Sequence, residues 1–149
     1  HPQHRRQRQM CIRDRINYTV TDSNAVTNPE FITLSSYDDR PLVGQPDDIL
    51  NIQIGYYGSD DSRLSIIYND VGNRIRELGS DVIPNVMEDL PETLDIVYKK
   101  TFQAIDGNLD LTIKLRNLLE EPYEALQGNQ VYETYSSSSS ISIGLKYSY

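Results

Sequence analysis

Large apolar or aromatic residues recur at every second position in five stretches of this chain, a period that predicts β-strands and not helices. In ILNIQIGYY, Leu50, Ile52, Ile54 and Tyr56 share one face, and Asn51, Gln53, Gly55 and Tyr57 the other. RLSIIYND sets Leu64, Ile66 and Tyr68 against Ser65, Ile67 and Asn69. TLDIVYKKTF puts Leu94, Ile96, Tyr98 and Phe102 opposite Asp95, Val97, Lys99 and Thr101. NLDLTIKLRN alternates Leu109, Leu111, Ile113 and Leu115 with Asn108, Asp110, Thr112, Lys114 and Arg116. ISIGLKYSY ends the chain with Ile141, Ile143, Leu145, Tyr147 and Tyr149 against Ser142, Gly144, Lys146 and Ser148. A weaker strand around Ile16 to Thr21 precedes them, making an all-β, antiparallel meander of about six strands.

The connections alternate too. GSDD (Gly58 to Asp61) and AIDGN (Ala104 to Asn108) are short enough for hairpin turns and carry the Gly, Asp and Asn that positive φ favours. The other three are long, about 25 residues from Asp22 to Asp48, about 15 from Arg76 to Glu92 and about 20 from Leu118 to Ser140, and read as loops. Short turns at one end of a meander and long loops at the other form the pattern of an outer-membrane barrel. A soluble β-sandwich gives the same alternation of faces, so period alone does not separate core from lipid. Aromatic placement tips the reading: Tyr56, Phe102, Tyr147 and Tyr149 fall at strand ends on the short-turn side, where a girdle at a membrane interface would sit. Lys100 interrupts the apolar face one pair before Phe102, a place from which its ammonium can snorkel outward.

Composition narrows the chemistry. The first fifteen residues, HPQHRRQRQMCIRDR, hold both His, the only Cys and five of the 14 basic residues, and QMCIRDR resembles translated sequencing-adapter read-through. Residues 1–15 are therefore read as non-native sequence, and residues 16–149 as the protein proper. The formal charge of −8 then becomes −12, from 9 basic and 21 acidic residues. No run of basic residues remains to neutralise phosphates, which argues against nucleic acid as a partner. Without His1, His4 and Cys11 there is no imidazole or thiolate for a transition metal or a nucleophile–base pair, and no cofactor is expected. The chain has no run of about 18 apolar residues for a helical span.

The order of short motifs resembles the C-terminal end of a TonB-dependent outer-membrane receptor. It runs from Arg40-Pro41-Leu42 with Gly44-Gln45, through Asn51, Tyr68-Asn69, Gly72 and Arg74, to Glu88 and Pro91 before Leu94-Asp95, and Asn117-Leu118-Leu119. The resemblance spans nearly all of Ile16 to Tyr149. It implies a barrel of about 22 strands plugged by a separate N-terminal domain, of which this chain holds about the last six strands. It also implies a place in the bacterial outer membrane, with lipid, the plug, TonB, the barrel assembly machinery and a small-molecule ligand as partners. In that family the last strand ends on an aromatic, typically Phe, taken to be read during assembly; Tyr149 stands there, behind Tyr147, Leu145, Ile143 and Ile141. The Ser136 to Ser140 run departs from relatives, which often carry a Gly-containing aromatic segment, and reads as a flexible loop end.

Side chains opposite the apolar face, namely Asp95, Lys99, Asp110, Lys114 and Arg116, would point into the lumen. The long connections, with Tyr37, Tyr123, Tyr132 and Tyr135, are the better candidates for ligand capture, since loops on a rigid scaffold carry binding, but no individual ligand residue is nominated. DGNLDLT lacks the Gly and Glu of a calcium loop and reads as turn plus strand. The acidic pairs Asp38-Asp39, Asp47-Asp48 and Asp60-Asp61 read as solvated charge. Catalysis is not expected, because no polar residues converge on a cleft. A passive porin-type barrel and a secreted β-sandwich binding module are the competing readings.

Overall fold

A computed structural model describes residues 11–26, 40–80 and 82–149. Among the described residues all ten elements are strands, and every pairing between them is antiparallel. The first sheet joins β1 (Cys11–Val20), β2 (Asp48–Tyr57), β3 (Arg63–Val71), β6 (Thr93–Ala104), β7 (Gly107–Arg116) and β10 (Ser140–Ser148), in that order. These are the six strands that the alternation predicts.

The register aligns the apolar sets into one surface. Residues directly opposite each other in an antiparallel pair lie on the same face. Ile54 thus stands beside Ile66, and Ile66 beside Ile96. The row continues from Ile96 to Leu115 and Ile141. One row further toward the short turns, Tyr56, Leu64, Tyr98, Ile113 and Ile143 line up in the same way. A one-residue slip in any strand would turn its whole apolar set to the other face.

The sheet is staggered. Arg63, at the first turn, is level with Lys99, and β6 runs on through Ala104 before the second turn. A stagger of this kind is what lets a sheet tilt and curl. The sheet stays open, since β1 and β10 each pair on one side only.

Three expectations need correction. The segments from Arg76 to Glu92 and from Leu118 to Ser140 are not simple loops. They contribute to a second sheet, built from β4 (Arg74–Glu77), β5 (Val86–Asp89), β8 (Pro122–Gln127) and β9 (Gln130–Ser136). Its order repeats the order of the strands it extends: β4-β5-β8-β9 continue β3-β6-β7-β10. Polar ladder strands that short carry no hydrophobic period for a sequence to reveal. Secondly, the first strand starts earlier than Ile16: β1 begins at Cys11 and pairs with β2 from Cys11 opposite Tyr57 onward. Thirdly, Ser136 to Ser140 is no free loop end: Ser136 closes β9, Ser140 opens β10, and the link is fastened between the sheets. Asn117 donates to the Ser137 carbonyl at 2.6 Å, and Glu120 accepts from the Ser139 amide at 2.9 Å. Asn117 and Glu120 themselves take left-handed backbone angles, φ 54° and 52°, where β7 bends toward β8.

The hairpin turns also differ in detail. In the first, only Asp61 has positive φ, at 62°. The second, through Ile105 and Asp106, has none among its residues. Its glycine serves another purpose: a Cβ on Gly107 would lie 2.3 Å from the Ser148 carbonyl oxygen, so Gly107 lets the end of β10 close on the turn. Gly107→Ala should push Ser148 and Tyr149 off the edge of β7 at a cost of about 1–3 kcal/mol. Faster amide exchange confined to the last residues of β10 is the expected readout, and unchanged exchange there would show that the contact carries no weight.

Candidate functional site

The first sheet presents two unlike faces, and neither is a core. Gly55 is the one buried residue in its six strands. Among the described residues, the buried hydrophobics are Ile75, Val86, Tyr123 and Ala125, all in the second sheet. The apolar face is left uncovered: Ile16 is 69% exposed, Ile143 66% and Leu145 68%. No helix among the described residues is long and apolar enough to cross a membrane, which says nothing about strands. Each strand of the first sheet has 9 to 12 residues, the length that carries a tilted strand across a bilayer.

Polar hardware bounds this apolar face at both ends. On the short-turn side, Phe102, Leu109 and Tyr147 form one row, and Tyr56 stands higher on β2. Lys100 does lie on the apolar face, opposite Leu111. Its ammonium passes 5.4 Å from the Phe102 ring centre and donates to Asp60 Oδ2 at 2.7 Å, in the first turn. That hydrogen bond, reinforced by one from Ser62, holds the Asp60 carboxyl well below the usual carboxylate range. Tyr149 lies one residue past the end of β10 and is fully exposed.

On the opposite side the sequence reading missed a second row of rings. Tyr68 donates its hydroxyl to Glu92 Oε2 at 2.6 Å, and the Tyr18 hydroxyl lies near enough to the Asp48 carboxylate to interact with it. Both tyrosines belong to the apolar face, Tyr18 beside Leu50 and Tyr68 beside Ile52. Nothing local in the sequence marked them: Glu92 lies 24 positions from Tyr68, and Asp48 lies 30 from Tyr18.

The other face carries most of the polar side chains, and three depressions along the sheet are lined mainly by its residues. Lys99, Asp110, Lys114 and Arg116 line two of them, as the alternation predicts for one shared face. Asp95, on the same face, is spoken for: its Oδ1 accepts the Asn117 amide at 3.0 Å and helps hold the bend. Asp110 accepts from the Thr101 hydroxyl at 2.7 Å. Sequence inspection found no basic cluster, because the basic residues are scattered along the chain. The fold assembles one from β6 and β7.

The tyrosines expected in loops require correction. Tyr123 lies on β8 and is 4% exposed, its ring stacked on Tyr135 with centroids 4.6 Å apart. It donates to Glu88 Oε2 at 2.6 Å and accepts from Arg76 at 2.9 Å. Tyr132 and Tyr135 sit on β9, Tyr132 beneath the Arg76 guanidinium. Arg74 bonds the other Glu88 oxygen, and Arg76 also bonds Glu133. Tyr123 thus belongs to the core of the second sheet, whereas Tyr132 and Tyr135 are strand residues with exposed rings. Tyr37 and the Asp38-Asp39 pair lie outside the described residues. Among those described, no three acidic, His or Cys side chains are arranged to hold a metal ion.

Comparison of the chain with protein-family models, with curated proteins and with solved structures finds no match in any of the three.

Glu88 gives the second sheet a pH dependence. Burial pushes its carboxyl up, but hydrogen bonds from Tyr123 and Arg74 and the charges of Arg74 and Arg76 outweigh it, so the net shift is downward. A lowered folded value stabilises above the unfolded carboxylate range, near pH 4.3, and that stabilisation is lost as pH falls through the folded value. Amide protection in Val86–Asp89 and Pro122–Gln127 should therefore drop in acid. Glu88→Gln should remove that response and cost roughly 1.5–3 kcal/mol at neutral pH. An unaltered acid profile in Glu88→Gln would place the titrating group elsewhere.

Proposed function

We propose that this chain is a wall segment of an outer-membrane β-barrel, specifically the C-terminal part of a TonB-dependent receptor that imports a scarce nutrient such as an iron chelate. The observation that carries the reading is the two-sidedness of the sheet. Lysines, an arginine and other polar side chains of one face line its depressions, while the apolar face on the other side is left uncovered. A soluble sandwich or barrel needs the reverse, with apolar side chains on the enclosed side. A membrane barrel puts them outward, with rings at both interfaces and polar groups around the lumen.

Other features support the same reading. The rings at the short-turn end and the tyrosines at the other bound the apolar face on two sides, and the Lys100–Asp60 pair carries a charge from that face to the turn. The motif order described above supports the receptor assignment in particular. Residues on the polar wall would face a plug and the ligand path, and β10 would close against a strand from elsewhere in the barrel. With two open edges the segment alone transports nothing and should associate through them.

Spin labels test the lipid-facing assignment. In a Cys11→Ser background in nonionic micelles or vesicles, labels at Ile66 and Ile143 should be relaxed more by oxygen. Labels at Ser65 and Ser142 should respond more to a water-soluble nickel chelate. Equal or inverted accessibility would sink the reading. The receptor assignment has a separate test in the gene. The frame upstream of Ile16 is expected to continue through further alternating strands to a plug domain and a signal peptide. A native start near His1 would leave a small protein and exclude a large barrel.

A further inference from the structure

We infer that the polar face of β6, β7 and β10 holds a binding site for a small polyanion, a solute bearing two or three phosphate or carboxylate groups. The site is the hollow of about 350 Å³ lined by Lys99, Thr112, Lys114, Arg116, Ser142 and Gly144 on that face. Its chemistry is one-sided, with three cations and no carboxylate in the lining. Among the described residues, Lys99, Lys114 and Arg116 form no ion pair, although the chain as a whole is acidic at −8. The nearest carboxylate in register with Arg116 is Asp95, which is engaged by the Asn117 amide.

The floor of the hollow is built for approach. Thr112 stands between Lys99 and Gly144 across three strands, and Ser142 lies beside Lys114. A Cβ on Gly144 would have nothing closer than 4.0 Å, so the space above it is open. Small side chains in the middle and long cations around them leave room for an oxyanion that the cations can reach from several sides. Lys114 and Arg116 are two residues apart on one strand, roughly 7 Å, a spacing that favours a solute with more than one anionic group over a single one. The inference goes beyond the proposed transport role and holds whatever covers the apolar face.

Titration of the full chain in nonionic micelles at about 150 mM salt, with pyrophosphate in one arm and citrate in the other, tests it by calorimetry and by amide chemical shifts. Saturable binding of at least one probe is expected, with shifts centred on Thr112, Ser142 and Gly144. Phosphate-only or carboxylate-only binding would each identify the anionic group. Lys114→Gln and Arg116→Gln should each weaken binding about tenfold. Lys100→Gln, which alters a cation on the opposite face, should leave binding unchanged. Amide spectra of the variants establish that the sheet is intact. No saturation with either probe would overturn the inference. Shifts centred on Arg74 and Arg76, or equal weakening by Lys100→Gln, would overturn it too.

Discussion

A β-sheet with one apolar face has to hide that face from water, and in this chain nothing among the described residues does so. The six-stranded ladder satisfies its own backbone between β1 and β10, but its Leu, Ile and Tyr side chains stay open to whatever lies beyond. In water, exposed apolar surface on this scale drives association. In hydrocarbon the surface is at home, and the demand moves to the backbone, where every N–H and C=O needs a partner. In the proposed membrane setting the two requirements would meet in a sheet that turns its apolar face to lipid and joins its edges. The stagger between successive hairpins is compatible with that course.

The second sheet follows from the first. Its strands keep the neighbour order of the four strands they extend, so it is the same set of hairpins carried past the bend at Asn117 and Glu120. What changes is how the strands are held together. In the first sheet the strands share a ladder, cross-strand neighbours and isolated side-chain bonds such as that of Thr101 to Asp110. In the second, Arg74, Glu88, Tyr123, Arg76 and Glu133 form one chain of hydrogen bonds over a small apolar centre at Val86 and Ala125. A network of charges and hydroxyls is satisfied in water-facing surroundings and would be costly in lipid. The switch from apolar rows to this network therefore marks where a non-aqueous environment would stop.

The six long strands were legible because period 2 with large apolar residues is a strong signal, and the register then followed from keeping those residues on one face. The strands RIRE, VMED and QVYETYS gave no such signal, since their stabilising contacts are ionic and aromatic and reach across tens of residues. Tyr123 looked like a loop ring for the same reason: its partners Glu88 and Arg76 lie 35 and 47 positions away. Lys100 was visible as an interruption, but Asp60, 40 residues earlier, was not visible as its counterion. The basic hollow was hidden in the same way, because Lys99 reaches Lys114 and Arg116 only through the pairing of β6 with β7. Gly107 was noticed for the right turn and the wrong cause. Its lack of a side chain answers to β10, a strand that arrives more than thirty residues later.

The two ends of the apolar face also differ in how firmly they fix a depth. At the short turns the boundary is made by Phe102 and Tyr147 with a lysine on a flexible stem, groups that tolerate sliding along the strand axis. At the other end the Tyr68 hydroxyl is bonded to a particular carboxylate, that of Glu92. Glu92 is in turn tied through its amide to Glu121, beside the second sheet. The tyrosine end of the apolar face is thus tied, through Glu92 and Glu121, to the start of β8, while the short-turn end is held by the Lys100–Asp60 pair.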